Sequence, residues 1–258
     1  MLTDIQRERH IDLQGTTNFR NLGGYHTRDG KKTTKWGVLY RCDHLTDVPS
    51  EKAQSVLVEQ LHIHEAYDLR AHKEVVLKNY NFPHITRHSA GIEPTCISEF
   101  LKRGEDMSNR NTVFRAMKAV YRQMVNDCGK VFGSVIKGII KSKASPDNAV
   151  VFHCTAGKDR TGWLAYLILT LLDVTDEDKR FDYLLTNTYF HPLKGASDYT
   201  GGLGMGEEAK KALWSVFDEF IDAGIAEVNK YGGVEAYAKS HMGITDEEIQ
   251  QLRDLLLE

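Results

Sequence analysis

The fold of this chain is decided by the stretch VVFHCTAGKDRTGWLAYLIL, which occupies residues 150–169. Its beginning, together with Ala149, is apolar and β-branched, which is typical of a buried parallel strand. Its end is a long apolar run that predicts a buried helix. The polar residues between them predict a tight loop. The stretch therefore predicts a strand, a loop and a helix that follow one another directly.

The polar loop is a predicted anion site. A loop between a strand and the N-terminus of a helix turns successive backbone N–H groups inward, and the helix dipole adds positive potential. We expect the backbone of Thr155, Ala156 and Gly157 to form such a socket, with Gly157 letting the chain approach the ligand closely. Arg160 is suited to hold two phosphate oxygens at once. The loop is therefore predicted to bind phosphate.

Cys154 lies at the base of this predicted socket. An ordinary thiol, with a pKa of about 8.5, is mostly protonated at pH 7, whereas thiols in electropositive loops have pKa values of roughly 3.5–7.5. We therefore expect a thiolate that attacks phosphorus. The hydroxyl of Thr161 is expected to donate to the sulfur and to help it leave when a phosphocysteine is hydrolysed.

The rest of the chain predicts a single α/β domain over residues 1–258, with a central, mostly parallel sheet flanked by helices. No repeat, low-complexity tract or linker divides the sequence. Glycines at 201–206 have the spacing of a dinucleotide-binding turn, but no strand precedes them, so we interpret them as a loop. Further predicted elements are strands at 25–28 and 38–41 around a turn at 29–30, a helix at 50–60, strands at 62–69 and 85–89, and two helices within 112–143 that are broken near 128–129.

Composition limits the possible functions. The chain has 258 residues and a formal net charge of -3, so no basic surface for nucleic acid is indicated. Its four cysteines form no pair at metal-ligand spacing, and we expect no metal and no cofactor. The apolar runs are too short for an integral membrane segment. Without a recognisable signal, the sequence predicts a cytoplasmic protein; export without a signal and the oligomeric state are left open.

The loop sequence HCTAGKDRTG, residues 153–162, resembles the signature of the protein tyrosine phosphatase superfamily. Its GKDR interior is similar to the atypical bacterial branch of tyrosine/serine phosphatases that also accept phosphoinositides. Other stretches that resemble this branch are 18–24, 37–41, 68–70, 231–237 and 243–249. The resemblance thus extends over nearly the whole chain and implies the cysteine-phosphatase fold.

The resemblance also implies roles for further residues. The branch carries an aspartate at the place of Asp159, which we therefore expect to be the general acid; the reserve candidates are Asp43, Asp106 and Asp127. A general acid must be protonated, so we predict an acidic activity optimum. Lys158 would add a second cation for multiply charged head groups. Arg41 and Arg70 lie in motif-like stretches, where they either bind an anion or form structural salt bridges.

These observations predict a phosphate monoester hydrolase that works through a phosphocysteine. The expected substrates are phosphotyrosine, with or without phosphoserine and phosphothreonine, or phosphoinositides; a soluble inositol phosphate is an alternative. The competing class is a phospho-ligand binding module without turnover. A sulfur-transfer loop is disfavoured by the length and sequence of the loop. A nucleotide-binding loop of Walker type is excluded because Phe152 stands where its first glycine belongs.

Overall fold

The computed structural model describes residues 1–191 and 205–258. Most of the glycine-rich stretch 201–206 lies outside the described residues. Five strands form one sheet: β1 (Arg20–Asn21), β2 (Leu39–Cys42), β3 (Ile63–Asp68), β4 (Thr86–Ser89) and β5 (Ala149–His153). Their order is β1-β2-β5-β3-β4, and β1 is antiparallel to β2 while the other pairs are parallel. The predicted α/β class with a mostly parallel sheet flanked by helices is confirmed.

The helices, in chain order, are α1 (Asp4–Arg7), α2 (Ser50–Lys52), α3 (His72–Leu77), α4 (Cys96–Lys102), α5 (Arg110–Lys141), α6 (Asp159–Leu171), α7 (Asp176–Leu184), α8 (Thr186–Tyr189), α9 (Glu207–Trp214), α10 (Asp218–Asn229), α11 (Val234–Tyr237) and α12 (Asp246–Leu256). Helices α2 and α11 continue directly into π-helical turns, Ala53–Val58 and Ala238–Met242. None of the helices in the described ranges is both long and apolar enough to cross a membrane.

Strand β5 lies in the middle of the sheet, between β2 and β3, and all five of its residues are buried. Its side chains alternate between two hydrophobic cores, because successive side chains of a strand point to opposite faces. Val150 and Phe152 pack in the larger core, which includes residues of α5, α6 and α10. Val151 packs in a smaller core with Leu57 and Tyr40. Both sheet faces are therefore covered, which explains the continuous apolar run in the sequence.

Helix α5 corrects a prediction. The sequence predicts two helices broken near 128–129, but Arg110–Lys141 is one continuous helix of 32 residues. Its glycines mark close packing rather than a break. A Cβ at Gly129 would lie 2.8 Å from the Tyr237 hydroxyl, and one at Gly133 would lie 2.0 Å from the carbonyl oxygen of Met242. The missing side chains thus let the segment after α11 approach the α5 backbone.

The structure also corrects the prediction for the N-terminal strands. The predicted strand at 25–28 is wrong: β2 pairs instead with Arg20–Asn21, and the segment 25–28 has only isolated bridges. The predicted turn is confirmed, since the Gly30 N–H donates to the Thr27 carbonyl and Gly30 has a φ of +67°. The segment after the turn bonds to the C-terminal residues, with Thr33 and Glu258 exchanging both backbone hydrogen bonds. Its backbone groups are thus satisfied outside the sheet.

Candidate active site

The predicted loop follows β5 directly and lines a cavity of about 190 Å³. Strand β5 ends at His153, and helix α6 begins at Asp159. Polar residues of the loop and of α3 meet apolar residues of α4, α5 and α9 around the cavity. Its lining residues are Glu74, Pro94, Ile97, Met117, Val120, Cys154, Thr155, Ala156, Lys158, Asp159, Arg160, Leu213 and Trp214.

The loop backbone is held from behind by two distant side chains. The Asn18 amide donates to the carbonyl oxygens of Ala156 (3.0 Å) and Gly157 (3.1 Å), and Arg41 Nη2 donates to that of Gly157 (2.7 Å). The C=O and N–H of a trans peptide point in opposite directions. The N–H groups of Gly157 and Lys158 are therefore directed away from these anchors, which is the orientation that an anion-binding nest requires.

Two glycines, Gly157 of the loop and Gly162 of α6, make this geometry possible. Gly157 has a φ of +63°, which favours glycine, and a Cβ there would lie 2.4 Å from the carbonyl oxygen of Cys42. At Gly162, a Cβ would lie 3.3 Å from Arg41 Nη2 and from ring carbons of Tyr183. Gly157 therefore brings the loop close to β2, and Gly162 leaves room for the Arg41 anchor.

Arg160 is held by Glu74 of α3, a residue to which the sequence analysis assigned no role. Arg160 Nη1 and Nη2 donate to the two Glu74 carboxylate oxygens at 2.5 and 3.0 Å. Burial opposes ionisation of Glu74, but the hydrogen bonds and charge of Arg160 lower its pKa to about 2. Burial would also lower the pKa of Arg160, yet the charges of Cys154 and Glu74 raise it. Both partners are thus ionised near neutral pH.

The Glu74 pair leaves one side of the Arg160 guanidinium available. The terminal nitrogens face Glu74, and Nη1 also approaches the carbonyl oxygens of Leu69 (3.4 Å) and Ile92 (3.3 Å). Nε makes no hydrogen bond within residues 1–191 and 205–258. Nε and the second proton of Nη2 form a side-on pair of donors, which matches two oxygens of a phosphate. Glu74 therefore orients Arg160 without using this pair.

Lys158 lies in the cavity wall, but its ammonium group is already bonded. Nζ donates to the backbone carbonyls of Leu213 and Ser215, the latter at 3.1 Å, and lies 3.4 Å from Asp159 Oδ2. Its side chain is almost completely buried. The Lys158 ammonium, which the sequence predicts as a second cation for charged head groups, thus lies at the C-terminal end of α9, where positive charge is favourable.

Among the described residues that line the cavity, Asp159 is the one aspartate. Its Oδ1 accepts a hydrogen bond from the Tyr121 hydroxyl at 3.1 Å. The reserve candidates lie elsewhere. Asp43 is buried and accepts backbone N–H groups, Asp106 bonds to the neighbouring Ser108, and Asp127 is on the exposed face of α5. The geometry therefore favours Asp159 over the reserve candidates.

Cys154 and Thr161 are both buried beside the loop. The exposed fraction of Cys154 is 2%, and the residue lies in the cavity floor. The Thr161 hydroxyl is completely buried and has no hydrogen-bond partner in the part of the chain that the structure describes. The expected hydrogen bond from Thr161 to the sulfur is therefore not formed in this structure, and its role stays a prediction.

Arg41 and Arg70 do not line the cavity. Arg41 Nη1 donates to Asp182 at 2.5 Å, and Arg20 Nε donates to the other oxygen of the same carboxylate at 2.9 Å. Arg70 pairs with Asp68 at 2.7 Å. Burial opposes ionisation of Asp182, but the two arginines lower its pKa to about 2. Of the two alternatives left open for Arg41 and Arg70, the geometry favours structural salt bridges.

Four residues that support the site were not predicted from the sequence. Asn18 lies in a stretch that carries the family resemblance, so its motif was visible although its contact with the loop was not. Glu74 lies four residues after Arg70, close to another such stretch. Tyr121 and Asp182 gave no sequence signal beyond the helical periodicity around them, because their contacts join residues far apart in the chain.

Metal-ligating groups do not cluster in the described residues. No set of three or more His, Cys, Asp or Glu side chains within residues 1–191 and 205–258 is placed to hold a metal ion. The four cysteines, Cys42, Cys96, Cys128 and Cys154, are free thiols.

Comparisons with known proteins place this geometry in context. The profile of the tyrosine phosphatase family matches residues 11–258. A tyrosine-protein phosphatase of Nostoc commune is 35% identical over 117 residues, 43% of this chain and 40% of the relative. The chain thus matches less than half the length of that relative.

Two solved structures are similar at low identity. The core catalytic domain of the PP-IP phosphatase SIW14 from S. cerevisiae, in complex with citrate, has a TM-score of 0.37 and 15% identity. The match covers 85% of this chain and 96% of that chain. P. aeruginosa TpbA in complex with pTyr has a TM-score of 0.33 and 13% identity, and the match covers 81% of this chain and 96% of that chain.

Proposed function

The chain belongs to the tyrosine phosphatase family, and on that premise we propose that it hydrolyses phosphate monoesters through a phosphocysteine on Cys154. One observation carries the proposal. The loop that follows β5 places Cys154 in the floor of a cavity beside Arg160, whose side-on donors are free of protein partners in the described ranges. We treat residues 1–258 as one phosphatase domain.

The proposed reaction has two steps. The Cys154 sulfur attacks phosphorus, the bond to the leaving oxygen breaks, and Asp159 gives that oxygen its proton. Water then attacks the phosphocysteine, gives a proton to Asp159, and releases phosphate and the Cys154 thiolate. Arg160 and the inward N–H groups of the loop stabilise the equatorial oxygens in both steps. Thr161 is proposed to donate to the departing sulfur.

We propose an aryl phosphate, phosphotyrosine in a protein, as the preferred substrate. The cavity walls are mainly apolar: Pro94, Ile97, Met117, Val120, Leu213 and Trp214. Such walls favour a flat aromatic ring over a polyhydroxylated inositol ring, whose hydroxyls would lose water without gaining partners. The Lys158 ammonium, bonded to two carbonyls, is a poor second anchor for a multiply phosphorylated head group. Phosphoserine, phosphothreonine and inositol lipids are thus expected to react more slowly.

A substrate panel tests the function and the preference together. Wild-type protein and the Cys154→Ser variant are assayed between pH 4 and 8 with p-nitrophenyl phosphate, phosphotyrosine and phosphoserine peptides, phosphoinositides and soluble inositol phosphates, with a chelator present. We expect wild-type activity that is highest on phosphotyrosine and lost in the variant. No turnover on any substrate, with phosphopeptide binding retained, would favour the phospho-ligand binding module.

The place of action stays a prediction. A cytoplasmic, reducing compartment would suit a nucleophile that works as a thiolate, because oxidation of Cys154 would end turnover. Partition of the tagged protein between cytoplasmic and exported fractions measures this directly. The expected partner is a phosphorylated protein rather than nucleic acid.

A further inference from the structure

Two buried tyrosines connect helices α5 and α7 to Asp159 of α6. The Tyr121 hydroxyl on α5 donates to Asp159 Oδ1 at 3.1 Å, and it lies 2.8 Å from the Tyr183 hydroxyl on α7. Asp159 is the first residue of α6. Both tyrosine rings are essentially inaccessible to solvent. The contacts form one chain that runs from Tyr183 through Tyr121 to the carboxyl group.

We propose that Tyr121 and Tyr183 are positioning residues that hold the Asp159 carboxyl group in the orientation for proton transfer. The inference rests on the proposed function, in which Asp159 is the general acid. An ionised carboxylate only accepts hydrogen bonds, so Tyr121 donates to Asp159 and Tyr183 donates to Tyr121. Tyr121 thereby fixes the rotation of the carboxyl group and reserves Oδ1 as an acceptor. The other oxygen, Oδ2, is left to carry the transferable proton.

The surroundings of Asp159 allow Tyr183 to donate to Tyr121, and Tyr121 to donate to Asp159, over the whole working pH range. Burial raises the pKa of Tyr121 and Tyr183 well above their usual range, so both hydroxyls keep their protons at any working pH. The other charged groups beside Asp159 are the Lys158 ammonium, 3.4 Å from Oδ2, and the Arg160 guanidinium. The tyrosines are therefore neutral donors beside a carboxyl group whose charged neighbours are both cations.

Packing alone does not explain the hydroxyl groups. Tyr121 lies edge-on to Trp163 and to Tyr183, with ring centroids 6.3 Å apart in both pairs. Phenylalanine at either position would fill nearly the same space. A buried hydroxyl costs free energy unless it is hydrogen-bonded. In this core the two hydroxyls hydrogen-bond to each other, and that of Tyr121 also bonds to Asp159. Replacing a tyrosine by phenylalanine therefore removes the positioning contact and keeps most of the packing.

Tyr121→Phe tests the proposal with two substrates that differ only in the leaving group. Phenyl phosphate needs a general acid more than p-nitrophenyl phosphate, because phenolate is the poorer leaving group. We expect kcat to fall about tenfold with phenyl phosphate and less than about threefold with p-nitrophenyl phosphate, a fraction of the usual contribution of a general acid. The alkaline limb of the kcat profile should move to higher pH, because the carboxylate has lost a donor.

Three further variants complete the experiment. Tyr183→Phe should give the same pattern with a smaller loss, since it removes only the outer hydroxyl. Tyr237→Phe is the matched control, because its buried hydroxyl donates to the Val125 carbonyl, outside the Asp159 chain. It should not change the ratio of the two substrates. In an Asp159→Asn background, Tyr121→Phe should have no additional effect on this ratio.

The outcomes separate this inference from the proposed function. If the wild-type protein hydrolyses neither substrate, the proposed function fails. If the wild type is active and Asp159→Asn changes the substrate ratio, but Tyr121→Phe leaves both the ratio and the pH profile as in Tyr237→Phe, the positioning role is overturned. An equal loss on both substrates that persists in the Asp159→Asn background indicates a purely structural role and also overturns it.

Discussion

At the scale of single residues, the site depends on side chains that never need to touch the substrate. Glu74 fills the terminal face of the Arg160 guanidinium, and it also accepts a hydrogen bond from the Thr155 hydroxyl. One carboxylate thus connects α3 to both ends of the loop. Hydrogen bonds to charged groups contribute about 1.5–3 kcal/mol each. The orientation of Arg160 is therefore tied to a residue outside the signature sequence.

Replacement of Glu74 should lower activity although Glu74 itself has no chemical step in the proposed reaction. We predict that Glu74→Gln lowers kcat/KM for p-nitrophenyl phosphate by about 10- to 100-fold, because one oxygen of the pair becomes an NH2 group that faces Arg160. Steady-state kinetics measure the loss. Glu99→Gln, which changes an exposed carboxylate on α4, is the control and should keep wild-type kcat/KM. Equal values for both variants would contradict the orienting role of Glu74.

Single residues also show which features of the site could be predicted from the sequence. The order of Cys154, Gly157 and Arg160 after an apolar run predicted the loop, since each residue has a local task. The Lys158 ammonium could not be placed, because its direction depends on carbonyls more than fifty residues away. The same holds for Tyr121, which is 38 residues from Asp159 in the chain. Local pattern identifies the chemistry of a side chain but not its distant partner.

At the scale of elements, Lys158 attaches α9 to the loop. Its ammonium group bonds to the carbonyls of Leu213 and Ser215 at the end of α9, and Leu213 and Trp214 form part of the cavity wall. The lysine is therefore expected to stabilise the wall of the cavity rather than to select for charge on the ligand.

Lys158→Met should consequently destabilise the protein and leave its preference among ligands unchanged. We predict that Tm falls by roughly 3–8 °C, which corresponds to the loss of charged hydrogen bonds in a domain of this size. Thermal unfolding followed by circular dichroism measures the shift. Lys210→Met, which changes a half-buried lysine in α9 that is paired with Glu207 and does not line the cavity, is the control. A selective loss of affinity for multiply phosphorylated ligands, with Tm unchanged, would restore the head-group interpretation of Lys158.

Helix α5 shows why a glycine pattern was misinterpreted. Glycine inside a helix costs about 1 kcal/mol relative to alanine, so a glycine near Cys128 reasonably predicted a break. The helix continues because the glycines allow backbone contacts that no side chain would permit, such as that between Gly133 and Met242. Periodicity shows which face of a helix is buried, but it does not show how close the neighbour comes.

The contact at Gly133 can be tested directly. We predict that Gly133→Ala lowers the free energy of unfolding by about 1–3 kcal/mol, because the added Cβ would lie 2.0 Å from the Met242 carbonyl oxygen. In an uncrowded helix the same change would raise stability by up to about 1 kcal/mol. Urea unfolding gives the sign. Lys130→Ala on the exposed face of α5 is the control, and a stabilised Gly133→Ala variant would refute the close contact.

At the scale of the whole molecule, one buried histidine should link stability to pH. His153 is completely buried at the end of β5, where its Nδ1 faces the Cys154 carbonyl and its Nε2 faces the Tyr80 hydroxyl. Burial lowers the pKa of His153 to about 4, against the opposing charge of Asp68. Between about pH 6.5 and 4, the unfolded chain therefore takes up a proton that the folded chain does not.

Stability should accordingly fall as the pH is lowered through this window. We predict a contribution of roughly 1.4 kcal/mol per pH unit from His153 between about pH 6.5 and 4, which adds to any other titrating group. Urea unfolding at pH 7 and pH 5 measures the slope. His153→Gln should reduce it, whereas His26→Gln, at an exposed position, should not. An imidazole NMR titration of His153 with a midpoint near 6.5 in the folded wild type would contradict the prediction.

The sequence predicted the sheet class and its central strand because both depend on hydrophobic pattern. The interior run of β5 has no polar residue before His153, which only a strand covered on both faces tolerates. The edge of the sheet was less predictable. Segment 25–28 looks like a strand, yet its backbone bonds to Lys32 and Thr34 across the turn and to the distant residues Asp173 and Thr175. Such pairings depend on the complete fold and leave no local trace.

The fixed position of Arg160 also affects what happens after turnover. Because Glu74 has already restricted the guanidinium, an incoming oxyanion meets donors that lose little further rotational freedom. Inorganic phosphate, the compound released at the end of each cycle, offers the same oxygens as the ester. A site that is preorganised for the phosphate ester is equally preorganised for inorganic phosphate. We therefore expect product inhibition by phosphate.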